Sequence, residues 1–147
     1  MLRVRDIMTR RVTTLRCDAT IDSAAWSLSA AHVSGAPVRD AHGNLVGILS
    51  KSDLADMLRH FQVPETVRVS EAMTPAVWAV CPDDPAMRAV DLMLEKGIHR
   101  VVVVSRPGTI AGIVTATDVL RALSRGGSFS DDDPAVENAA APGGPSQ

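Results

Sequence analysis

The chain has 147 residues, 46% apolar but only 3% aromatic, with a net charge of −2 and two cysteines. That suits one soluble domain with an aliphatic core. It argues against a disulfide scaffold and a basic nucleic-acid binder. No apolar run approaches the roughly 18 residues of a membrane span, and Met1-Leu-Arg-Val-Arg-Asp6 lacks the apolar stretch of a secretory signal. A cytoplasmic location with reduced thiols is expected. A Cys17–Cys81 disulfide stays open, because both cysteines precede equivalent helices. Charge is uneven: five arginines crowd the first sixteen residues, a solvated face or a phosphate or partner contact. Without Asp131, Asp132, Asp133 and Glu137 the balance is +2. The four histidines, at 32, 42, 60 and 99, have no metal-ligand spacing, so no metal is expected.

Sliding the chain by 65 positions lays residues 4–58 on 69–123 without a gap, with 12 of 55 identical. The matches include Met8/Met73, Thr9/Thr74, Asp18/Asp83, Gly43/Gly108, Gly47/Gly112 and Asp53/Asp118. In chain order each copy predicts a turn (4–8, 69–73), a small strand (12–15, 77–80) and an amphipathic helix. In the second copy Asp84 is placed to cap that helix, Pro85 to open it and Gly97 to close it. The buried stripe is Ala86, Ala89, Val90 and Met93, with Ile21, Ala24, Ala25 and Leu28 as counterparts. An apolar strand follows (36–39, 101–105), then a turn at Gly43 or Gly108, a third strand (45–49, 110–114) and a second helix (52–59, 117–123). The order is β-α-β-β-α, twice. Residues 1–62 form the first repeat, 63–125 the second, and 126–147, rich in Gly, Ser, Pro, Ala and Asp, an expected disordered tail.

The informative element is Gly47-Ile-Leu-Ser50-Lys-Ser52-Asp53 and its copy Gly112-Ile-Val-Thr115-Ala-Thr117-Asp118. Ser50-x-x-Asp53 and Thr115-x-x-Asp118 read as capping boxes. A hydroxyl-flanked helix N-terminus is equally a place for an anion, and a carboxylate accepts hydrogen bonds from a ribose diol. Both roles can hold together.

This doubled Gly-apolar-apolar-Ser/Thr-x-x-Asp motif, with Met-Thr before the first strand and Ile98-His-Arg-Val-Val-Val-Val104 before the central one, resembles the cystathionine beta-synthase (CBS) domain family. The resemblance covers residues 4–123. It implies an α/β fold in which two repeats pack about a pseudo-twofold axis, with two clefts for adenosine-containing ligands. AMP, ADP or ATP is the first expectation, with S-adenosylmethionine and NAD in the wider class, as a regulatory ligand and not a required cofactor. One cleft would use Ser50, Ser52 and Asp53, with Val77 and Trp78 near the base and His99 and Arg100 at the phosphate. The other would use Thr115, Thr117 and Asp118, with Val12 and Thr13 near the base. Ser34 and Gly35 stand there in place of His-Arg, so that cleft is expected to lack a cation. The bland alternatives are a buried imidazole for His99, core packing for Trp78 and a surface charge for Arg100.

Three functions stand at this point. One is a non-catalytic sensor of adenine nucleotides acting on a separate, unidentified protein target or through its own assembly; another is a ligand-free scaffold that only dimerises. The third is an enzyme, but the sequence has no nucleophile–base arrangement or metal cluster to support it. No catalytic residue, nucleic-acid contact or membrane contact is expected. Leu54, Met57, Leu58, Val119, Leu120 and Leu123 carry more apolar surface than one small sheet covers, which predicts a homodimer.

Overall fold

The computed structural model describes residues 1–60, 63–75, 78–106 and 108–129. In chain order they form α1 (Val4–Ile7), β1 (Leu15–Arg16), α2 (Ile21–Ala30), β2 (Gly35–Arg39), β3 (Leu45–Ser50) and α3 (Lys51–Arg59). There follow α4 (Val69–Ala72), β4 (Thr74–Pro75), β5 (Ala79–Val80), α5 (Ala86–Lys96), β6 (Arg100–Ser105), β7 (Thr109–Thr115) and α6 (Ala116–Ser124). The two long strands of each repeat and its second helix lie where the apolar pattern puts them. The small strands are shorter: Val12 and Thr13 precede β1, and Val77 lies outside the described residues. Asp84 does not cap α5. Its carboxylate takes the Cys81 N–H at 2.9 Å, and Pro85 is itself the cap residue, so the helix starts at Ala86. Gly97 ends that helix in the left-handed conformation, φ 64°.

Each repeat builds the same three-stranded unit. β1 runs parallel to β2 and β2 antiparallel to β3; β5, β6 and β7 repeat the pattern. The register slips at equivalent places, Val38/Arg39 and Val103/Val104. The hairpin turns meet, Leu45 N–H donating to the Gly108 carbonyl at 3.1 Å and Ile110 N–H to that of Gly43 at 3.4 Å. Both glycines have positive φ, 86° and 139°, a conformation that disfavours side chains. Asp40 holds the first turn. Its carboxylate accepts the N–H groups of Asn44 and His42, which keeps its pKa below the ordinary value, the Asn44 bond contributing most.

The repeats are joined by exchange of their leading segments. β4, from the second repeat, pairs antiparallel with β3 of the first, Ile48 opposite Thr74 and Gly47 opposite Pro75. Reciprocally, Thr9 and Ile113 exchange both backbone hydrogen bonds, at 2.8 and 3.0 Å. Glycine is needed beneath each crossing. A Cβ at Gly47 would lie 2.8 Å from the Thr74 carbonyl oxygen, and one at Gly112 2.6 Å from that of Thr9. Overpacking of this kind costs about 1–3 kcal/mol.

The packing units therefore differ from the sequence repeats. One core gathers Leu15, Ile21, Leu28, Val38, Leu49 and Met57 with Val67 and Val69 from the start of the second repeat. The other gathers Val80, Ala86, Ala89, Met93, Val101, Val103 and Val114 with Val4 and Ile7 from the chain start. Backbone bonds pin both exchanges: Val4 N–H to the Asp84 carbonyl and Val69 N–H to that of Ala19, at 2.9 and 2.8 Å. Arg3 donates to the Asp83 carbonyl and Arg68 to that of Asp18, at 2.7 and 3.1 Å.

Two expectations change. Met57 is buried inside the first core and Leu54 and Val119 pack against the cores, so of the helix residues read as surplus only Leu58, Leu120 and Leu123 are exposed. Nor is the segment from 126 onward unstructured throughout. Leu2 N–H donates to the Ser128 carbonyl at 2.8 Å, and Phe129, buried, joins the second core; residues 130–147 lie outside the described residues. The general composition of the tail hid one anchoring aromatic. Phe129→Ala should cost about 3 kcal/mol and lower Tm by roughly 10 °C relative to the parent chain in thermal unfolding. An unchanged Tm would show that the ring is not part of the core.

Candidate functional site

Where β3 runs into α3, the local sequence makes a full capping box. Ser50 Oγ accepts the Asp53 N–H at 3.3 Å, while Asp53 Oδ2 accepts the Ser50 N–H at 2.9 Å and the Ser50 hydroxyl at 3.0 Å. Thr115 and Asp118 repeat it at α6, at 3.2, 2.9 and 3.1 Å. The capping role read from sequence is therefore real in both copies.

The first box opens on a cleft of about 550 Å³ between the repeats. Ser50, Lys51, Ser52 and Asp53 form one wall, and Trp78, His99 and Arg100 face them from the second repeat, with Thr74 and Pro75 of the exchanged strand between. Six residues predicted for this cleft thus meet there. His99 is exposed, which removes the buried-imidazole alternative, and Trp78 is 41% exposed, not core. Lys96 Nζ sits 4.2 Å above the Trp78 ring, a cation–π contact that sequence reading missed. Its one signal is adjacency to Gly97, which turns the chain back toward the cleft. Among the described residues Lys51 and Arg100 make no ion pair, so the cleft carries two cations, Lys51 beside the Asp53 carboxylate and Arg100 across from it. Asp53 commits only Oδ2 to the cap; Oδ1 accepts no hydrogen bond among the described residues.

The second cleft, about 460 Å³, is lined by Val12, Thr13, Ser34, Gly35 and Thr115 of the residues expected there, and by Arg11 and His32. Thr117 and Asp118 do not line it. Thr117 is exposed, and Asp118 is buried and lines a different cavity with Arg121, the counterpart of one that Asp53 lines in addition to its cleft. Nor does this cleft lack a cation. Arg100 lines it too, its guanidinium donating to Ser34 Oγ at 2.8 Å and the Gly35 carbonyl at 3.3 Å. A Cβ at Gly35 would stand 3.0 Å from that guanidinium and 3.2 Å from the Leu49 carbonyl oxygen, so a side chain there would crowd the arginine. His32 occupies the left-handed position that Gly97 holds in the other copy, φ 55°. Val77 lies outside the described residues.

Cys17 and Cys81 are free thiols, so the disulfide alternative is not realised. Among the described residues no His, Cys, Asp and Glu converge as a metal site, and no helix is long and apolar enough to cross a membrane.

Comparison with known proteins agrees with this architecture. The CBS domain model matches residues 4–60 and 69–125. An uncharacterized protein of Methanocaldococcus jannaschii, MJ1232, is 29% identical over 131 residues, which is 89% of this chain and 42% of that protein. Inosine-5'-monophosphate dehydrogenase of Halobacterium salinarum is 32% identical over 83% of this chain and 24% of its own length. The chain thus spans under half the length of these curated relatives. Among solved structures, CBSX2 in complex with AMP is 30% identical with a TM-score of 0.76, over 85% of this chain and 98% of that one. The CBS domain pair of MJ0100, in complex with 5-methylthioadenosine and S-adenosyl-L-methionine, is 28% identical with a TM-score of 0.74, over 86% and 98%. Two matched repeats, one exchanged fold and these neighbours place the chain in the CBS domain family, of which it carries one tandem pair.

Proposed function

We propose that the chain is a regulatory module whose first cleft binds an adenosine nucleotide of the AMP, ADP or ATP class and passes its occupancy to a partner protein or to its own assembly. The observation that carries this reading is Asp53, whose Oδ1 accepts no hydrogen bond among the described residues, lining a cleft that also holds Arg100, Lys51 and His99. A carboxylate oxygen is a strong acceptor for a vicinal diol, and the cations lining the cleft suit a phosphate. Trp78, steadied by Lys96, supplies a flat apolar wall for a base. The cleft is of ordinary size for a small-molecule site. Support also comes from two similar structures, one holding AMP and the other 5-methylthioadenosine and S-adenosyl-L-methionine.

Titration calorimetry with adenosine and AMP tests the roles. Asp53→Ala should weaken both ligands. Arg100→Ala should weaken AMP about ten- to a hundred-fold while sparing adenosine, because a hydrogen bond to a charged group contributes about 1.5–3 kcal/mol. Equal effects of Arg100→Ala on both ligands would remove arginine from the phosphate role.

The second reading, a scaffold that dimerises, draws on the helices. Leu58 and Leu123 stand at equivalent positions of α3 and α6 and are 55% and 53% exposed, with Leu120 at 65%. Apolar positions repeated about a pseudo-twofold suit a self-complementary surface, so the occupant proposed is a second copy of the chain. Light scattering at micromolar concentration should give a dimer, and Leu58→Glu with Leu123→Glu a monomer. A monomeric parent chain, with and without AMP, would contradict this.

A further inference from the structure

We infer that the chain holds one ribonucleotide, in the Asp53 cleft, and that Arg121 closes the second cleft to ribose. The inference rests on the nucleotide reading above and deepens it. The two capping boxes are alike through Oδ2, so the difference lies in the other carboxylate oxygen. Asp118 Oδ1 accepts Arg121 Nη1 at 2.9 Å and the Thr9 hydroxyl at 3.1 Å, and its side chain is 3% exposed. Asp53 Oδ1 has neither partner among the described residues.

The cause is one charge reversal between the repeats. Three residues after Asp118 the helix presents Arg121, on the same face and one turn on. Three residues after Asp53 it presents Asp56, which cannot donate and instead pairs with Arg59 at 2.5 Å. The threonine equivalent to Thr9 is Thr74, which lines the first cleft and makes no bond to Asp53. Asp118 is thus consumed by its own repeat and by the exchanged segment, and does not line the cleft that Thr115 walls. A ribose diol entering there would have to break a charge-assisted bond to a buried carboxylate, a factor of about ten to a hundred in affinity. The second cleft also has Thr13 where the first has Trp78, and Ala31 where the first has Lys96, so it lacks the aromatic wall as well.

Titration calorimetry of the full chain with AMP decides the matter. The parent chain should bind one AMP, and Asp53→Ala should lose that site. Arg121→Ala, and independently Arg121→Gln, should add a second, weaker site and raise the stoichiometry toward two, with thermal unfolding confirming that each variant is folded. Three results would overturn the inference. These are two AMP per parent chain, a single site that survives Asp53→Ala, or a stoichiometry unmoved in both folded Arg121 variants. No AMP binding by the parent chain would remove the nucleotide reading itself, and the inference with it.

Discussion

Two close backbone crossings organise this molecule. At each, the Met-Thr segment that opens one repeat lies across the third strand of the other, over a glycine where a methyl group would collide with the crossing backbone. A unit of about 55 residues buries too little surface to be secure alone. Here each unit's deficit is filled by its neighbour: Val4 and Ile7 enter the second core, Val67 and Val69 the first. The clefts follow from the same exchange, since Thr74 and Pro75 form the floor between the Ser50 wall and the Trp78–Arg100 wall. Fold and site are consequences of one constraint.

Symmetry at the backbone does not extend to the chemistry. The capping boxes match to within about a tenth of an ångström, yet the carboxylates they hold differ in what is left over. Asp53 lines the first cleft with one oxygen unbonded among the described residues; Asp118 has both oxygens bonded and does not line the second cleft. Arg100 is the second asymmetry. It stands where both clefts can use it, because the position equivalent to it in the first repeat is Gly35. A duplicated module thus arrives at unequal sites through a handful of side chains on an equal frame.

Much of this was legible in the sequence. The 65-residue offset, the apolar periods and the Gly-to-Asp motif located both long strands and the second helix of each repeat, and they brought Ser50, Ser52, Asp53, Trp78, His99 and Arg100 together. What stayed hidden depends on geometry between distant segments. The exchange is invisible to periodicity, because Val4–Ile7 and Val69–Ala72 look like lead-ins to their own repeats. The motif alone puts Arg100 in one cleft, since sequence gives no sign that Ser34 and Gly35 lie against its guanidinium. The motif makes Asp118 a copy of Asp53, although Asp56 and Arg121 at the same offset encode their difference. Phe129 disappeared into a tail judged by composition, where one ring outweighs its neighbours.

Native-state hydrogen exchange tests the central claim, that exchanged segments make the two repeats a single cooperative unit. The amides of Thr9, Ile113, Val4 and Val69 all donate across an exchange contact. They should exchange only through global unfolding, with the same free energy of opening as amides of the central strands β2 and β6. If Thr9 and Val69 instead exchange through a local opening several kcal/mol cheaper while β2 and β6 stay protected, the leading segments merely rest on the other repeat and the account is wrong.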